Sequence, residues 1–305
     1  MKIAIHGLGR MGMQIARKLA EAGHEVYAHN RSPEPIGEAV SYGCKPARTK
    51  DDVIAAFGGE AAIVWVMLPA EISDSEVAAW SALLAPESVI INGANADFRR
   101  TIQLNTTVSS AGKILVDVGV SGGVWGYERG FPLMIGCDDE AVVDKLSPVF
   151  DDLARPGGAW GYFGKSGSGN YVKMVHNAIE YGMMQSLAEG YRMLHESPLG
   201  ALDMAKAGGV WQHRSVIESW LNDLTRQAVA ENPELEGVTG YVAESGEARW
   251  TLETAEELGI ELPAIQAAFD VRLRSQEGLT NFATKIVAAQ RNKFGGHNLN
   301  SEGRA

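Results

Sequence analysis

The sequence predicts an α/β domain built on a doubly wound, mainly parallel sheet, followed by an all-α domain. Three observations carry this. Apolar strand-like runs alternate with amphipathic helical stretches through the first half. A glycine-rich turn follows the first strand directly. Beyond Gly164-Lys165-Ser166-Gly167-Ser168-Gly169 the pattern is helical nearly to the end. Alternation of this kind implies right-handed crossovers between parallel neighbours.

The elements follow in order. Strands are expected at Ile3–His6, Glu25–His29, Ala62–Leu68, Val89–Asn92 and Ile114–Val118, where β-branched and apolar residues cluster. Helices are expected between them at Met11–Ala22, Asp51–Phe57, Asp74–Leu84 and Asp97–Ala111. A helix over Asp139–Leu153 and a strand near Trp160–Phe163 close the first domain, 1–165. The second domain, 166–305, reads as a long helix over Asn170–Glu196, then Gly209–Leu224, Trp250–Leu258, Pro263–Ser275 and Asn281–Gln290. The Gly-, Asn- and Ser-rich tail from Phe294 to Ala305 has too little apolar surface for a core of its own.

Composition narrows the function. The chain has 305 residues, 45% apolar and 21% charged, which is ordinary for a globular protein of two domains. Its net charge of -11 argues against nucleic acid or an anionic membrane as the main partner. An anionic ligand must then be held by locally placed cations. Cys44 and Cys137 stand far apart in no metal-ligand spacing, and both are expected to stay reduced. No zinc spacing appears, so no metal is expected. The lack of a signal-like or membrane-length apolar run leads us to expect a cytoplasmic protein.

Gly7-Leu8-Gly9-Arg10-Met11-Gly12 matches GxGxxG between a strand and a helix, the dinucleotide-binding fingerprint of a Rossmann domain. The first glycine permits the turn, the second admits pyrophosphate to the backbone, and the third lets the helix pack on the sheet. The helix N-terminus adds amides and partial positive charge. About 20 residues on, where an acid would bond an NAD ribose, stand Asn30, Arg31 and Ser32. Arg31 can pair with a 2′-phosphate, which favours NADP over NAD. If Arg31 only stacks on adenine, both cofactors serve. Met67-Leu68-Pro69 ends the next strand and is expected to border the nicotinamide half.

The most informative stretch is Val172-Lys173-Met174-Val175-His176-Asn177-Ala178-Ile179-Glu180-Tyr181. On a helix, Lys173, Asn177, Glu180 and Tyr181 share a face, with Val172, Val175 and Ile179 as a burying flank. A sheltered Lys can lose its proton near neutral pH and act as a base. A Glu in the same setting can act as an acid.

Taken with Gly119-Val120-Ser121-Gly122-Gly123-Val124-Trp125-Gly126 and Gly246-Glu247-Ala248-Arg249-Trp250-Thr251, this stretch resembles the decarboxylating 6-phosphogluconate dehydrogenases from Met1 to about His297. The length resembles their short form. The resemblance implies oxidation of 6-phosphogluconate at C3, loss of CO2 and release of ribulose 5-phosphate, without a metal. Lys173 would be the base and then polarise the 3-keto group, and Glu180 would protonate C1 of the enediol. Asn95, Ser121, Gly122, Gly123, His176 and Asn177 match substrate-contacting positions. Tyr181, Arg249 and Arg272 match phosphate contacts. Arg291 and His297, in Gln290-Arg291-Asn292-Lys293-Phe294-Gly295-Gly296-His297, match a tail that completes the site of a neighbouring subunit in a homodimer or homotetramer. Asn95 would also touch the cofactor. The sequence departs from the family at Ala94, where a Gly is usual, at Asn170, where a His is, and at Ala178, where a Gly is. Two other readings share parts of the pattern. One is a non-decarboxylating β-hydroxyacid dehydrogenase of 3-hydroxyisobutyrate type, which needs no phosphate pocket. The other is a catalytically silent NADP-binding sensor.

Overall fold

The structure is a computed structural model that describes residues 1–299. The remainder of the tail, 300–305, lies outside the described residues. The chain divides into two compact units, Met1–Met174 and the residues from Val175 onward. The first unit thus runs past Lys165, because the opening turns of the following helix are bonded to its sheet (below).

The first unit is the expected doubly wound sheet. In chain order it comprises β1 (Lys2–His6), α1 (Arg10–Glu21), β2 (Glu25–His29), α2 (Pro33–Ser41), β3 (Lys45–Ala47), α3 (Lys50–Ala56), β4 (Ile63–Val66), α4 (Ala70–Leu83), β5 (Val89–Asn92), α5 (Phe98–Ser110) and β6 (Ile114–Val120). After a 3₁₀ turn at Gly123–Trp125 come α6 (Gly126–Arg129), β7 (Leu133–Cys137), α7 (Glu140–Ala154) and β8 (Trp160–Tyr162). The strand order is β3-β2-β1-β4-β5-β6-β7-β8. β1 to β6 are parallel, β7 is antiparallel to β6, and β8 is parallel to β7. Side chains alternate across the sheet. Ile3, Ile5 and Trp65 pack with Ile15, Leu19 and Phe150 on one face. Ala4, Val64 and Val66 pack with Trp80, Leu104 and Val108 on the other. A sheet covered on both faces needs near-continuous apolar strands, and that is why they were legible as plain runs.

Four strands and helices of this unit lie outside the sequence expectation: α2, β3, α6 with the 3₁₀ turn before it, and β7. β3 is only Lys45-Pro46-Ala47 at the sheet edge, the place where a strand proline is tolerated. α2 opens on Pro33, at a position whose missing N–H costs nothing. β7 turns back against β6, so the sheet is not purely parallel.

A long helix, α8 (Ser168–His195), carries the chain from the first unit into the second. The second unit continues with α9 (Met204–Trp211), α10 (Trp220–Glu231), α11 (Glu247–Leu258), α12 (Pro263–Gln276) and α13 (Phe282–Gly295). The single helix expected over Gly209–Leu224 is in fact two. Arg214 takes a left-handed backbone (φ 62°), and Ser219 accepts from the Asn222 N–H to start α10. The core of this unit gathers Met184, Ala188 and Tyr191 with Leu221, Val229, Ile286 and Val287. Phe294 and Leu299 pack against it, so the start of the tail lies on its own chain's core rather than apart from any. Among the described residues no helix is long and apolar enough to cross a membrane. Cys44 and Cys137 are free and buried, and burial pushes each thiol up to about 11.

Candidate active site

The glycine turn between β1 and α1 has the shape a dinucleotide needs. Gly7 sits at φ +100°, and a Cβ there would stand 2.4 Å from the Met67 carbonyl oxygen. A Cβ on Gly12 would fall 1.9 Å from the Gly7 carbonyl oxygen. Around Gly9, by contrast, a Cβ would meet nothing within 4 Å, so the open side of the turn faces space. Gly9 also caps α1 without a side-chain bond, and the helix N-terminus carries partial positive charge suited to an anion. A cleft of about 490 Å³ borders Leu8, Gly9, Arg10 and Gln14. These residues fit a pyrophosphate. Gly12→Ala is accordingly expected to weaken dinucleotide binding at least about tenfold in a fluorescence titration with NADPH. Affinity within about twofold of wild type would contradict the role given to the turn.

The end of β2 is built into the same turn. The Asn30 side-chain oxygen accepts the Leu8 N–H (3.1 Å) and its amide donates to the Ser32 carbonyl (3.2 Å). Asn30 therefore braces the glycine turn and leaves exposed Arg31 as the cation at this corner. Met67 is tied back by its N–H to the His6 carbonyl (2.8 Å). Met67, Leu68 and Asn95 are half-buried, at the ends of β4 and β5. Ala94 is accommodated: it is buried, and its N–H donates to Asn92 Oδ1 (3.1 Å).

At the end of β6, Ser121-Gly122-Gly123 forms a turn with both glycines at positive φ, 109° and 54°. Gln14 holds this turn to α1, donating to the Val124 carbonyl and accepting the Tyr127 N–H, each at 3.0 Å. Lys173 is 5% exposed and lies against the same strand. A Cβ on Gly119 would stand 2.4 Å from Lys173 Cβ. Asp117, inside β6, is fully buried and accepts N–H bonds from Gly167 (2.7 Å) and Asn170 (2.9 Å), at the start of α8. Burial raises the Asp117 carboxyl above its usual range, and these amides oppose the rise. Asn170 donates from its side chain to Thr101 Oγ1 (2.8 Å), which gives that departure from the family pattern a structural partner.

The remaining candidates lie in the second unit. The buried stripe of α8 runs through Ala178, Tyr181, Met184 and Ala188, whereas Ile179, expected on the burying flank, is 51% exposed. Ala178 and Tyr181 pack with Ala248, Ala268 and Phe269 of α11 and α12, which rotates the stripe off Ile179. Asn177 donates to Glu247 Oε1 (2.9 Å), and His176 Nδ1 bonds Asn177 Oδ1 (2.8 Å). Glu247, 3% exposed, also accepts from Ser245 Oγ (2.6 Å). Glu180 is half-buried on the same helix.

Two arginines come together here. Arg272 is 4% exposed, and its guanidinium lies 3.3 Å from the centre of the Tyr181 ring. Burial lowers its pKa, against the pull of Tyr181, Glu180 and Glu247. Arg291, on α13, is pushed down to about 10 by burial and by the Arg272 charge. α13 packs on its own unit and keeps this guanidinium within electrostatic reach of Arg272, Tyr181 and Glu180 of the same chain. Arg249 stands apart from this description. It is exposed, bonded to Glu244 (2.8 and 3.1 Å) and lies over the Phe269 ring. His297 is exposed beyond α13, and its carbonyl accepts from Asn292 (2.7 Å).

Residues 2–167 match the NAD binding domain of 6-phosphogluconate dehydrogenase, and residues 169–283 match its C-terminal domain. The chain belongs to the 6-phosphogluconate dehydrogenase family. YqeC of Bacillus subtilis, provisionally named a 6-phosphogluconate dehydrogenase, is 37% identical over 97% of this chain and 98% of its own length. An NAD(+)-dependent, decarboxylating 6-phosphogluconate dehydrogenase of Haloferax volcanii is 34% identical over 98% of each chain. Among solved structures, the Plasmodium falciparum 6-phosphogluconate dehydrogenase shares the fold at a TM-score of 0.79 and 22% identity, over 96% of this chain and 71% of that one. The 3-hydroxyisobutyrate dehydrogenase of Mycobacterium tuberculosis shares it at 0.73 and 20%, over 95% and 99%.

For this member of the 6-phosphogluconate dehydrogenase family, sequence reading passed over Asp117 and Glu247. Asp117 had a signal, since it is the one charge inside the apolar run Ile114-Leu115-Val116-Asp117-Val118. An ionisable group there must be paired or strongly hydrogen-bonded. Glu247 had none, because its partner Asn177 is 70 residues away.

Proposed function

We propose that this chain oxidises 6-phosphogluconate at C3 with a nicotinamide dinucleotide, releases CO2 and yields ribulose 5-phosphate. The observation that carries the reading is the pair of guanidiniums, Arg272 and Arg291, held in a largely apolar unit beside Tyr181. Two like charges so placed call for an anionic ligand, and a phosphate dianion answers both, with bidentate geometry available to each arginine.

The dinucleotide, held at Gly7, Gly9 and Gly12 with Leu8, Arg10 and Met11, supplies the hydride acceptor. Lys173 takes the C3 hydroxyl proton as the hydride leaves. Its ammonium then hydrogen-bonds the new 3-keto oxygen and draws the C1–C2 bonding pair toward it as that bond breaks, so that the carboxylate departs as CO2 and a C2=C3 enediol remains. Glu180 delivers a proton to the carbon that CO2 has left, which becomes C1 of ribulose 5-phosphate. Asn95, Ser121, Gly122 and Gly123 bind the carboxylate and hydroxyl end, with His176 and Asn177 alongside. Tyr181, Arg272 and Arg291 bind the phosphate, with Arg249 joining if it leaves Glu244. No step needs a metal. The tail that carries His297 is proposed to reach a neighbouring subunit of the homodimer or homotetramer.

For the cofactor we propose NADP ahead of NAD, on Asn30 in place of an acid and on exposed Arg31. Arg31→Ala is expected to raise the Kd of NADP by about tenfold and that of NAD by less than about twofold. Equal changes would reverse the assignment. The reaction is tested by following reduced nicotinamide and released CO2 with 6-phosphogluconate, beside 3-hydroxyisobutyrate as the unphosphorylated competitor. Turnover of the second acid alone would replace this reading with the non-decarboxylating one. Dinucleotide binding without turnover of either would favour the sensor.

A further inference from the structure

We propose that Asp117 is a positioning residue for Lys173: its buried carboxylate fixes the first turn of α8 to β6 and thereby sets where the lysine amine stands. The inference rests on the reading of Lys173 as the base.

A helix leaves its first amides without partners, and a surface Ser, Thr or Asp on the preceding residue normally satisfies them. α8 is fastened differently. Its opening amides are taken by a carboxylate from the middle of a neighbouring strand, with Gly167 on Oδ1 (2.7 Å) and Asn170 on Oδ2 (2.9 Å). Placing an ionisable group at 0% exposure costs far more than a surface cap, so capping alone does not account for it.

The surroundings are cleared for this contact. A Cβ on Gly136 of β7 would stand 2.6 Å from Asp117 Oδ1. A Cβ on Gly169 of α8 would stand 2.8 Å from Oδ2 and 2.5 Å from the Met134 carbonyl oxygen. On the same strand, the missing Cβ of Gly119 makes room for the Lys173 stem at 2.4 Å. β6 therefore holds the helix twice, at its amides through Asp117 and at the lysine through Gly119, before running on into Ser121-Gly122-Gly123. One strand sets the base and the substrate turn in register. A misplacement of about 1 Å at a reacting group can cost about 10²-fold in rate.

The test is Asp117→Asn, which keeps the size and loses acceptor capacity. With whichever of 6-phosphogluconate or 3-hydroxyisobutyrate the wild type oxidises, kcat is expected to fall about 10²-fold, while KM and the Kd of NADPH stay within about twofold. Amide exchange of the 167–174 peptide is expected to quicken while that of the β1 and β4 peptides holds. A folded variant with wild-type kcat, or with unchanged exchange at 167–174, overturns the proposal. Gly119→Ala serves as the second variant should the first not fold. It leaves the carboxylate in place and is expected to show the same loss in kcat with NADPH binding intact, and wild-type kcat there is equally fatal. If the wild type oxidises only the unphosphorylated acid, the substrate reading fails and this comparison still stands. If it oxidises neither, the base reading of Lys173 fails, and the exchange measurement alone decides whether Asp117 fixes the turn.

Discussion

Lys173→Met is expected to lower kcat with 6-phosphogluconate by about 10³- to 10⁴-fold and to leave the Kd of NADPH unchanged. The size follows from two tasks assigned to one amine: proton acceptor during hydride transfer, then cation beside the keto oxygen during loss of CO2. Either task alone is worth about 10²-fold or more. Methionine keeps the unbranched stem against Gly119 at similar volume, so the fold should hold. Unfolding in the same temperature range with the activity gone is therefore the expected pair of results. Glu180→Gln should act later. Its first turnover should still reduce the nicotinamide at near wild-type speed, seen as a burst in rapid mixing, and then stall before product is released. Mild and equal losses in the two variants, with no burst, would contradict the division of labour.

How far the sequence reached this site depended on how local each signal was. The glycine turn is a six-residue matter of backbone sterics, and Gly7 and Gly12 carry it wherever the rest of the chain goes. The parallel strands were legible because a sheet covered on both faces must be apolar throughout; β4 and β5 read as uninterrupted runs. β3 was not legible, because three residues around Pro46 have no period to detect. The break between α9 and α10 was hidden as well. Arg214 takes the left-handed conformation without the glycine that usually announces it. On α8 the apolar residues occur on more than one side, so Ile179 and Tyr181 looked equally suited to burial, and only the small Ala178, Ala248 and Ala268 decide which face the neighbouring helices approach. The meeting of Arg272 with Arg291, and of Asn177 with Glu247, joins separate helices and leaves no trace in any single window of sequence.

Arg272→Met is expected to raise KM for 6-phosphogluconate by about 10²-fold, with kcat changed less, because it removes a contact made equally in the ground and transition states. The site is desolvated, so a charge-assisted bond to phosphate is strong there and the loss cannot be made good by water. The free protein should respond in the opposite sense. Arg272 is a buried cation with its pKa pulled down by burial, and it in turn depresses Arg291. Replacing one member of such a pair with an apolar side chain of similar length relieves desolvation and like-charge repulsion, so Tm should hold or rise. Arg272→Lys should not rescue binding, since an ammonium offers neither the fork geometry nor the stacking on Tyr181. The measurement is a thermal melt with and without 6-phosphogluconate beside the kinetics. A site kept under electrostatic strain for its ligand predicts that substrate stabilises wild type and no longer stabilises Arg272→Met. A variant that melts far below wild type yet keeps its KM would mean that Arg272 serves the fold and that the phosphate binds elsewhere.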